Sequence, residues 1–166
     1  MHKKNAVVID ALDLRILALH QGDTRLPAKT IGDAVGLSTA AVQRRLKSLR
    51  EHGVIEREVA QLQPRLLGLP VTCIVNVDLD RERAHDLDRF RRAMLASPEV
   101  QQCYYVTGQA DFVLVVLAAD MESYEAFTRR ALLDDPNVRS FTTHVVLERV
   151  KVGLEVPVAG TLPSDA

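Results

Sequence analysis

Gln43, Arg44 and Lys47 are spaced to share one side of a helix. At about 100° per residue they point away from Val42, Leu46 and Leu49, which repeat at i, i+4 and i+7 as an apolar stripe. Ala40 lies on the same outward side, so that side is small near its start and then amide and cationic. Such a face suits a DNA major groove. Small residues allow close approach, an amide or guanidinium meets base edges, and cations meet phosphates. Arg45 and Arg50 flank it and suit phosphate contacts. With the residues at the helix start, the candidate nucleic-acid set is Ser38, Thr39, Ala40, Gln43, Arg44, Arg45, Lys47 and Arg50. A charged outer face is more often merely solvated, so the elements around it must decide.

A second constellation runs Val106-Thr107-Gly108-Gln109-Ala110-Asp111. It offers a hydroxyl, exposed amides, an amide side chain and a carboxylate. Read alone, it is first a simple turn, with Gly108 for its backbone angles and Asp111 for a local hydrogen bond. The other reading is a small polar-ligand site, in which Asp111 or the amides meet an amino or carboxylate group. Thr142, in a later strand-like run, is a weaker candidate.

Other chemistries lack their residues. The glycines fit neither G-x-x-x-x-G-K-[ST] nor G-x-G-x-x-G spacing. His2, His20, His52, His85 and His144 are scattered, and neither Cys73 nor Cys103 has a C-x-x-C partner, so no metal site is expected. No nucleophile–base pair is evident, and neither catalysis nor a cofactor is expected. Favourable charge at a helix N-terminus explains Asp78 and Asp80 at least as well as acid–base chemistry does. The longest apolar run, Phe112 to Ala119, is too short to cross a bilayer, and Met1-His2-Lys3-Lys4 does not open a signal peptide. Both cysteines read as buried thiols of a reducing cytoplasm.

The elements around the cationic face support groove binding. Ile31, Ala34 and Val35 mark a short helix, Gly36 stops it, Leu37 fills the corner and Ser38 caps the basic helix. Gly32 lets the second helix cross closely, and Gly53 ends that helix before Val54-Ile55 begin an extended segment reaching Leu62. This is helix-turn-helix spacing with a winged-helix-like continuation. An earlier helix is expected from an Asp10 cap to about His20, with Leu12, Ile16 and Leu19 inward. Residues 1–8 are expected to be loose. Residues 1–60 carry ten Lys/Arg against seven Asp/Glu, and residues 61–166 carry eleven against fifteen. Only the first part therefore suits DNA.

After a linker containing Pro64 and Leu66 to Pro70, the apolar period becomes two. Val71 to Leu79 reads as a strand, Asp80 to Ala96 as a helix with Leu87, Phe90, Met94 and Leu95 inward, and Val100 to Thr107 as a strand. Asp111 to Ala118 reads as a strand, Asp120 to Leu133 as a helix and Arg139 to Val150 as a strand. A shift of 38 residues lays Arg91–Leu95 on Arg129–Leu133, Pro98 on Pro136, and Val75, Val77 and Leu79 on Val113, Val115 and Leu117. Two strand–helix–strand copies joined by right-handed crossovers give an antiparallel sheet with helices on one face, the ferredoxin-like βαββαβ arrangement. The other face, carrying Ile74 and tyrosines, is expected to pair between subunits. The expected class is α+β, with a helix-turn-helix domain at 1–60, a linker at 61–70, the ferredoxin-like domain at 71–152 and a tail at 153–166.

This order of motifs resembles the Lrp/AsnC family of leucine- and asparagine-responsive transcription regulators over about residues 9 to 152. Ile9-Asp10-Ala11-Leu12-Asp13 with Ile16-Leu17 looks like the family's opening helix. Val35-Gly36-Leu37-Ser38, Arg44-Arg45-Leu46 and Gly53-Val54-Ile55 look like its DNA-binding unit, and Pro64 with Leu67-Gly68 like its linker. Pro98-Glu99-Val100, Val106-Thr107-Gly108 with Asp111, and Tyr124-Glu125 look like its regulatory domain. The resemblance implies a regulator of double-stranded DNA and dimers paired through regulatory sheets, often assembled into tetramers or octamers. It also implies an amino acid or related effector near the Gly108 hairpin, with Val106, Thr107, Gly108, Gln109, Asp111 and Thr142 as candidate contacts. Ser38-Thr39-Ala40-Ala41 replaces the family's proline-containing helix start, and Gln109 stands where many members carry an acid. Siroheme decarboxylases resemble the family in fold, but this chain has no Trp, and no His between residues 53 and 84, for their motifs. An amino-acid-binding module without DNA binding is the other alternative, and the cationic face argues against it.

Overall fold

Asp10 and Asp13 start the first helix by a reciprocal exchange. The Asp13 N–H donates to Asp10 Oδ1 at 2.8 Å, and the Asp10 N–H donates to Asp13 Oδ2 at 3.2 Å. This capping box satisfies two of the amides that a helix N-terminus leaves unpaired. It opens α1, Ala11–His20. The computed structural model describes residues 8–158. The expectation for residues 1–8 therefore falls almost wholly outside the described residues. α2 spans Ala28–Val35 and α3 spans Thr39–Glu51. Ile16, Ile31, Val35, Val42 and Leu46 form their shared core, with Leu26, Leu37 and Ile55 against it.

Three positions of α1 differ from expectation. Leu19 is 37% exposed, while Asp13 and His20 are buried. Asp13 is met by Arg45 and His20 Nε2 by Glu58, while His20 Nδ1 is buried without a hydrogen-bond partner among the described residues. The winged-helix-like continuation is also absent as a strand. Val54 and Ile55 stay close to α3, donating to the Leu49 carbonyl at 2.9 and 3.2 Å, and nothing pairs with residues 56–62 as a β-ladder among the described residues.

The second unit, Gln61–Lys151, opens with a 3₁₀ turn at Pro64–Leu67. Then follow β1 Val71–Leu79, α4 Ala84–Ala96, β2 Val100–Tyr105, β3 Phe112–Ala118, α5 Met121–Thr128 and β4 Val138–Val145. The sheet is antiparallel throughout, in the order β2-β3-β1-β4. Cys73, Val75, Val77 and Leu79 of β1 join Phe112, Leu114, Val116 and Ala118 of β3 beneath Leu87, Phe90, Met94, Tyr124, Phe127 and Leu132.

Several boundaries move for local reasons. α4 begins at Ala84, not Asp80, because the Asp80 N–H donates to the Asn137 carbonyl and the Asn137 amide holds the Arg81 carbonyl. Leu95 is 85% exposed, since Leu87, Phe90 and Met94 already complete the buried stripe. α5 ends at Thr128, and Arg129–Leu133 form a single π-helical turn. β4 ends at Val145, opposite Cys73, with one further bond from the Val146 N–H to the Thr72 carbonyl at 2.9 Å, and does not reach Val150.

The repeat also needs a correction. Met94 and Leu132 are both buried, and Pro98 matches Pro136, as a shift of 38 requires. The first strands instead match at 39, because Leu114, Val116 and Ala118 are buried, not Val113, Val115 and Leu117. With a side-chain period of two, a one-residue slip exchanges the faces. Val113, Val115 and Leu117 therefore lie on the face away from the helices, with Ile74 and Tyr104. Tyr105 lies on the helix side, 5.1 Å from the Phe112 ring. Of the cysteines, Cys73 is buried and Cys103, on the edge strand β2, is exposed.

Candidate nucleic-acid interface and effector site

Gly36 takes φ +77° after α2, the left-handed cap that its lack of a side chain permits. The Leu37 N–H then turns back to the Gly32 carbonyl at 2.9 Å, and Ser38 Oγ accepts from the Ala41 N–H at 3.2 Å. These two bonds set the angle at which α3 leaves the turn. Val42, Leu46 and Leu49 are buried, and Thr39, Ala40, Gln43, Arg44 and Lys47 are exposed on the outer side. Lys47 lies 3.7 Å from Glu51, both well solvated, a contact that leaves its ammonium available.

Arg45 and Arg50, whose spacing suggested flanking phosphate contacts, each carry an ion pair within the unit. Arg45 Nη1 bonds Asp10 at 2.7 Å and Asp13 at 2.8 Å, so its guanidinium ties α3 to the start of α1. Arg50 Nη2 donates to Glu58 Oε1 at 2.8 Å, beside His20. Arg45 is partly buried by these contacts, and Arg50 stays exposed with its charge paired to Glu58. The outer-side cations left without a short ion pair, among the described residues, are Arg44 and Lys47. Part of this was readable: Asp10-x-x-Asp13 has capping-box spacing. That Arg45 would complete it was not, because the pair is 32 residues apart.

The Asp10 carboxyl is held below its ordinary range by the Asp13 N–H and then by Arg45. Glu58 is held below its own by Arg50 and then His20. Groups depressed in the folded state bind fewer protons than in the unfolded chain. Their stabilisation is present above the ordinary carboxylate range and is lost as pH falls through it. The melting temperature of the first unit is therefore expected to drop as pH falls through roughly 4.5 to 3. Arg45→Met leaves buried Asp13 without its cation, at an expected cost of about 1–3 kcal/mol. It should also flatten that acid-side drop. Thermal scans of both proteins across this range check it, and an unchanged Arg45→Met curve would show that the pair is not stabilising.

The second candidate set is a hairpin between β2 and β3. The Val106 N–H donates to the Asp111 carbonyl at 2.9 Å and closes it, and Gly108 sits at φ +125°. Thr107, Gly108 and Gln109 are exposed at the tip. Asp111 does more than close a turn. Its N–H donates to the Val77 carbonyl at 3.0 Å, and its Oδ2 accepts from the Leu79 N–H at 2.6 Å. One carboxylate oxygen is thus fixed on the end of β1. Thr142 is not brought to this hairpin. It pairs with Asn76, across β1 from β3, about two interstrand spacings of 4.8 Å away. Thr142 lies on the open face in a row with Asn76, Val113 and Tyr104.

Among the described residues no group of His, Cys, Asp and Glu has the arrangement of a metal site, and no helix is long and apolar enough to cross a membrane.

Residues 9–50 match the family model of the AsnC-type helix-turn-helix domain, and residues 72–156 match that of the Lrp/AsnC ligand binding domain. The chain is 47% identical to an uncharacterized HTH-type transcriptional regulator of Sinorhizobium fredii, over 92% of this chain and 90% of that one. It is 35% identical to the leucine-responsive regulatory protein of Haemophilus influenzae, over 91% of each. An AsnC family transcriptional regulator from Agrobacterium tumefaciens superposes with TM-score 0.85 at 32% identity, over 92% of this chain and 99% of that one. A transcriptional regulator from Neisseria meningitidis, solved in complex with L-Met, superposes with TM-score 0.87 at 27% identity, over 93% of this chain and all of that one. With one family model matched by the helix-turn-helix unit and the other by the regulatory sheet unit, the chain belongs to the Lrp/AsnC family of helix-turn-helix transcriptional regulators.

Proposed function

We propose that the chain binds specific double-stranded DNA through Thr39, Ala40, Gln43, Arg44 and Lys47, and that an amino acid bound at the Gly108 hairpin alters that binding. The observation that carries the first part is the exposed amide and cationic side of α3, opposite its buried stripe. Ser38 keeps its hydroxyl hydrogen free to meet a phosphate while its oxygen caps the helix. The amino-acid reading rests on the ligand-binding-domain match, the L-Met complex of the Neisseria relative and the polar hairpin. Thr107, Gly108, Gln109 and the second oxygen of Asp111 supply its polar contacts, with Val106 at the base of the hairpin. Thr142 contributes from the open sheet face or not at all.

The same open face, with Ile74, Tyr104, Val113, Val115 and Leu117, supports a dimer that buries two such sheets together. Tetramers or octamers are the further assemblies that the family resemblance suggests, and cytoplasmic residence follows from access to DNA. The relatives are named as regulators, which disfavours the decarboxylase alternative. The cationic face of α3 disfavours a module without DNA binding.

Asp111→Asn is the discriminating variant. It keeps an oxygen for the Leu79 N–H and removes the charge that an ammonium group needs. Titration calorimetry of the standard amino acids against both proteins should find a ligand whose affinity falls at least tenfold in the variant, with nearly the same melting temperature. Equal affinity would remove Asp111 as the ammonium partner. No binding to the wild type at millimolar concentration would remove the amino-acid effector.

A further inference from the structure

α1 ends on two consecutive residues that hold two different stretches of chain. His20 is 4% exposed, and its Nε2 lies 2.6 Å from Glu58 Oε1, the oxygen that also accepts from Arg50. Glu58 stands just before Ala60, where the DNA-binding unit passes into the regulatory unit. Gln21, the next residue, grips Val156 with both ends of its amide. Its Nε2 donates to the Val156 carbonyl at 3.0 Å, and its Oε1 accepts from the Val156 N–H at 3.0 Å.

Val156 follows β4 in the chain, yet, among the described residues, 152–158 cluster with the DNA-binding unit. Leu154 and Val156 are 73% and 57% exposed, so their own burial does not hold Val156. The Gln21 amide grips it by meeting the N–H and the carbonyl of one residue as a neighbouring strand would.

The two connections are short. Glu58 to Gln61 spans at most about 10 Å, and Lys151 to Val156 at most about 17 Å, at full extension. A body joined by one short tether can swivel about it. A second tether with its own anchor removes part of that freedom, because every accepted orientation must satisfy both lengths.

We infer that the His20–Gln21 corner is a double anchor and that residues 152–158 are a second tether, latched by Gln21, that limits how the DNA-binding unit turns relative to the regulatory unit. Gln21 is then a positioning residue for DNA reading, and β4 is connected to α1 through a few residues as well as through the whole linker. The inference does not depend on which effector is bound, or on whether the Gly108 hairpin binds it.

The test uses the full chain. Hydrogen exchange reads the latch through the Val156 amide. Pulsed electron resonance reads the restraint, with one spin label on Cys103, which is exposed, and one on Lys29→Cys, diluted with unlabelled chain. Gln21→Ala should speed Val156 exchange at least tenfold and broaden the distance distribution. Val156→Pro lacks the donated N–H and should broaden it similarly. The double variant should be no broader than either single one, since both act on one latch. Unchanged Val156 exchange in Gln21→Ala, additive broadening in the double variant, or an unbroadened distribution would each overturn the inference. So would Val156 protection that falls on dilution, which would place the tail on a second copy of the chain.

Discussion

Replacing Arg44 and Lys47 together with alanine is expected to lower operator affinity about 100-fold at moderate salt while leaving the melting temperature nearly unchanged. Each good base-edge contact contributes about 1–3 kcal/mol of discrimination, and each 1.4 kcal/mol is a factor of about ten. Two lost contacts, about 2–6 kcal/mol together, bracket the stated change. Loss of any phosphate contact should also reduce the salt dependence of binding by about one in slope per contact. Stability should hold because both side chains are exposed, and the Lys47–Glu51 pair, at 3.7 Å in water, contributes little. Arg45→Met is the counterpart, losing stability first and affinity only through it. Fluorescence anisotropy on operator and random duplexes, with melting scans alongside, separates the two patterns. Undiminished operator binding by the Arg44/Lys47 variant would sink the assignment of this face.

Gly32→Ala should disable the same unit from the inside. A Cβ built on Gly32 meets the Leu37 carbonyl oxygen at 2.4 Å, where real Cβ contacts essentially never fall below 3.0 Å. That oxygen belongs to backbone already pinned, since the Leu37 N–H is bonded to the Gly32 carbonyl. The turn must open, and α3 moves with it. Overpacking of this kind costs about 1–3 kcal/mol or more, and the gain of about 1 kcal/mol from helix propensity does not offset the loss of the turn. The expected result is a lowered first melting transition, an unchanged regulatory unit and operator affinity reduced more than tenfold. Gly36 makes the informative contrast. Nothing lies within 4 Å of its added Cβ, so Gly36→Ala meets only the backbone penalty of about 1–2 kcal/mol for a left-handed residue. If Gly32→Ala melts and binds like the wild type, the close crossing of α2 and the turn is not essential.

Sequence periodicity carried both domains a long way, because burial on one side of a helix or strand leaves a regular mark. Val42, Leu46 and Leu49, and the alternation in β1, were legible for that reason. Leu19 and Leu95 were misplaced because a stripe completed by other residues looks the same in sequence as one that needs them. The β3 faces were misread because hydrophobic residues occupy every position from Phe112 to Ala118, and alternation disappears when both faces are apolar. At the candidate site, the outward direction of Arg44 and Lys47 was readable from helical angle alone. The ion pairs of Arg45 and Arg50 were not, because they depend on acids at the start of α1 and on Glu58. Asp111 was recognised as a turn residue, but its bond to Leu79 joins strands 32 residues apart, and no local pattern announces it.

The order of strands also sets a schedule for synthesis. The three helices that read DNA depend on contacts within the first 55 or so residues and can assemble soon after they leave the ribosome. The regulatory sheet cannot. Its first strand, β1, lies between β3 and β4, so one flank stays unpaired until residues 138–145 have emerged. The latch at Val156 comes later still. During each round of translation, a nascent chain holds a folded DNA-reading head before it has the sheet or the second tether that would restrain it. Ribosome-bound chains halted before β4 should therefore already carry a helix-turn-helix unit resistant to proteolysis, beside a β1 that is still open to attack.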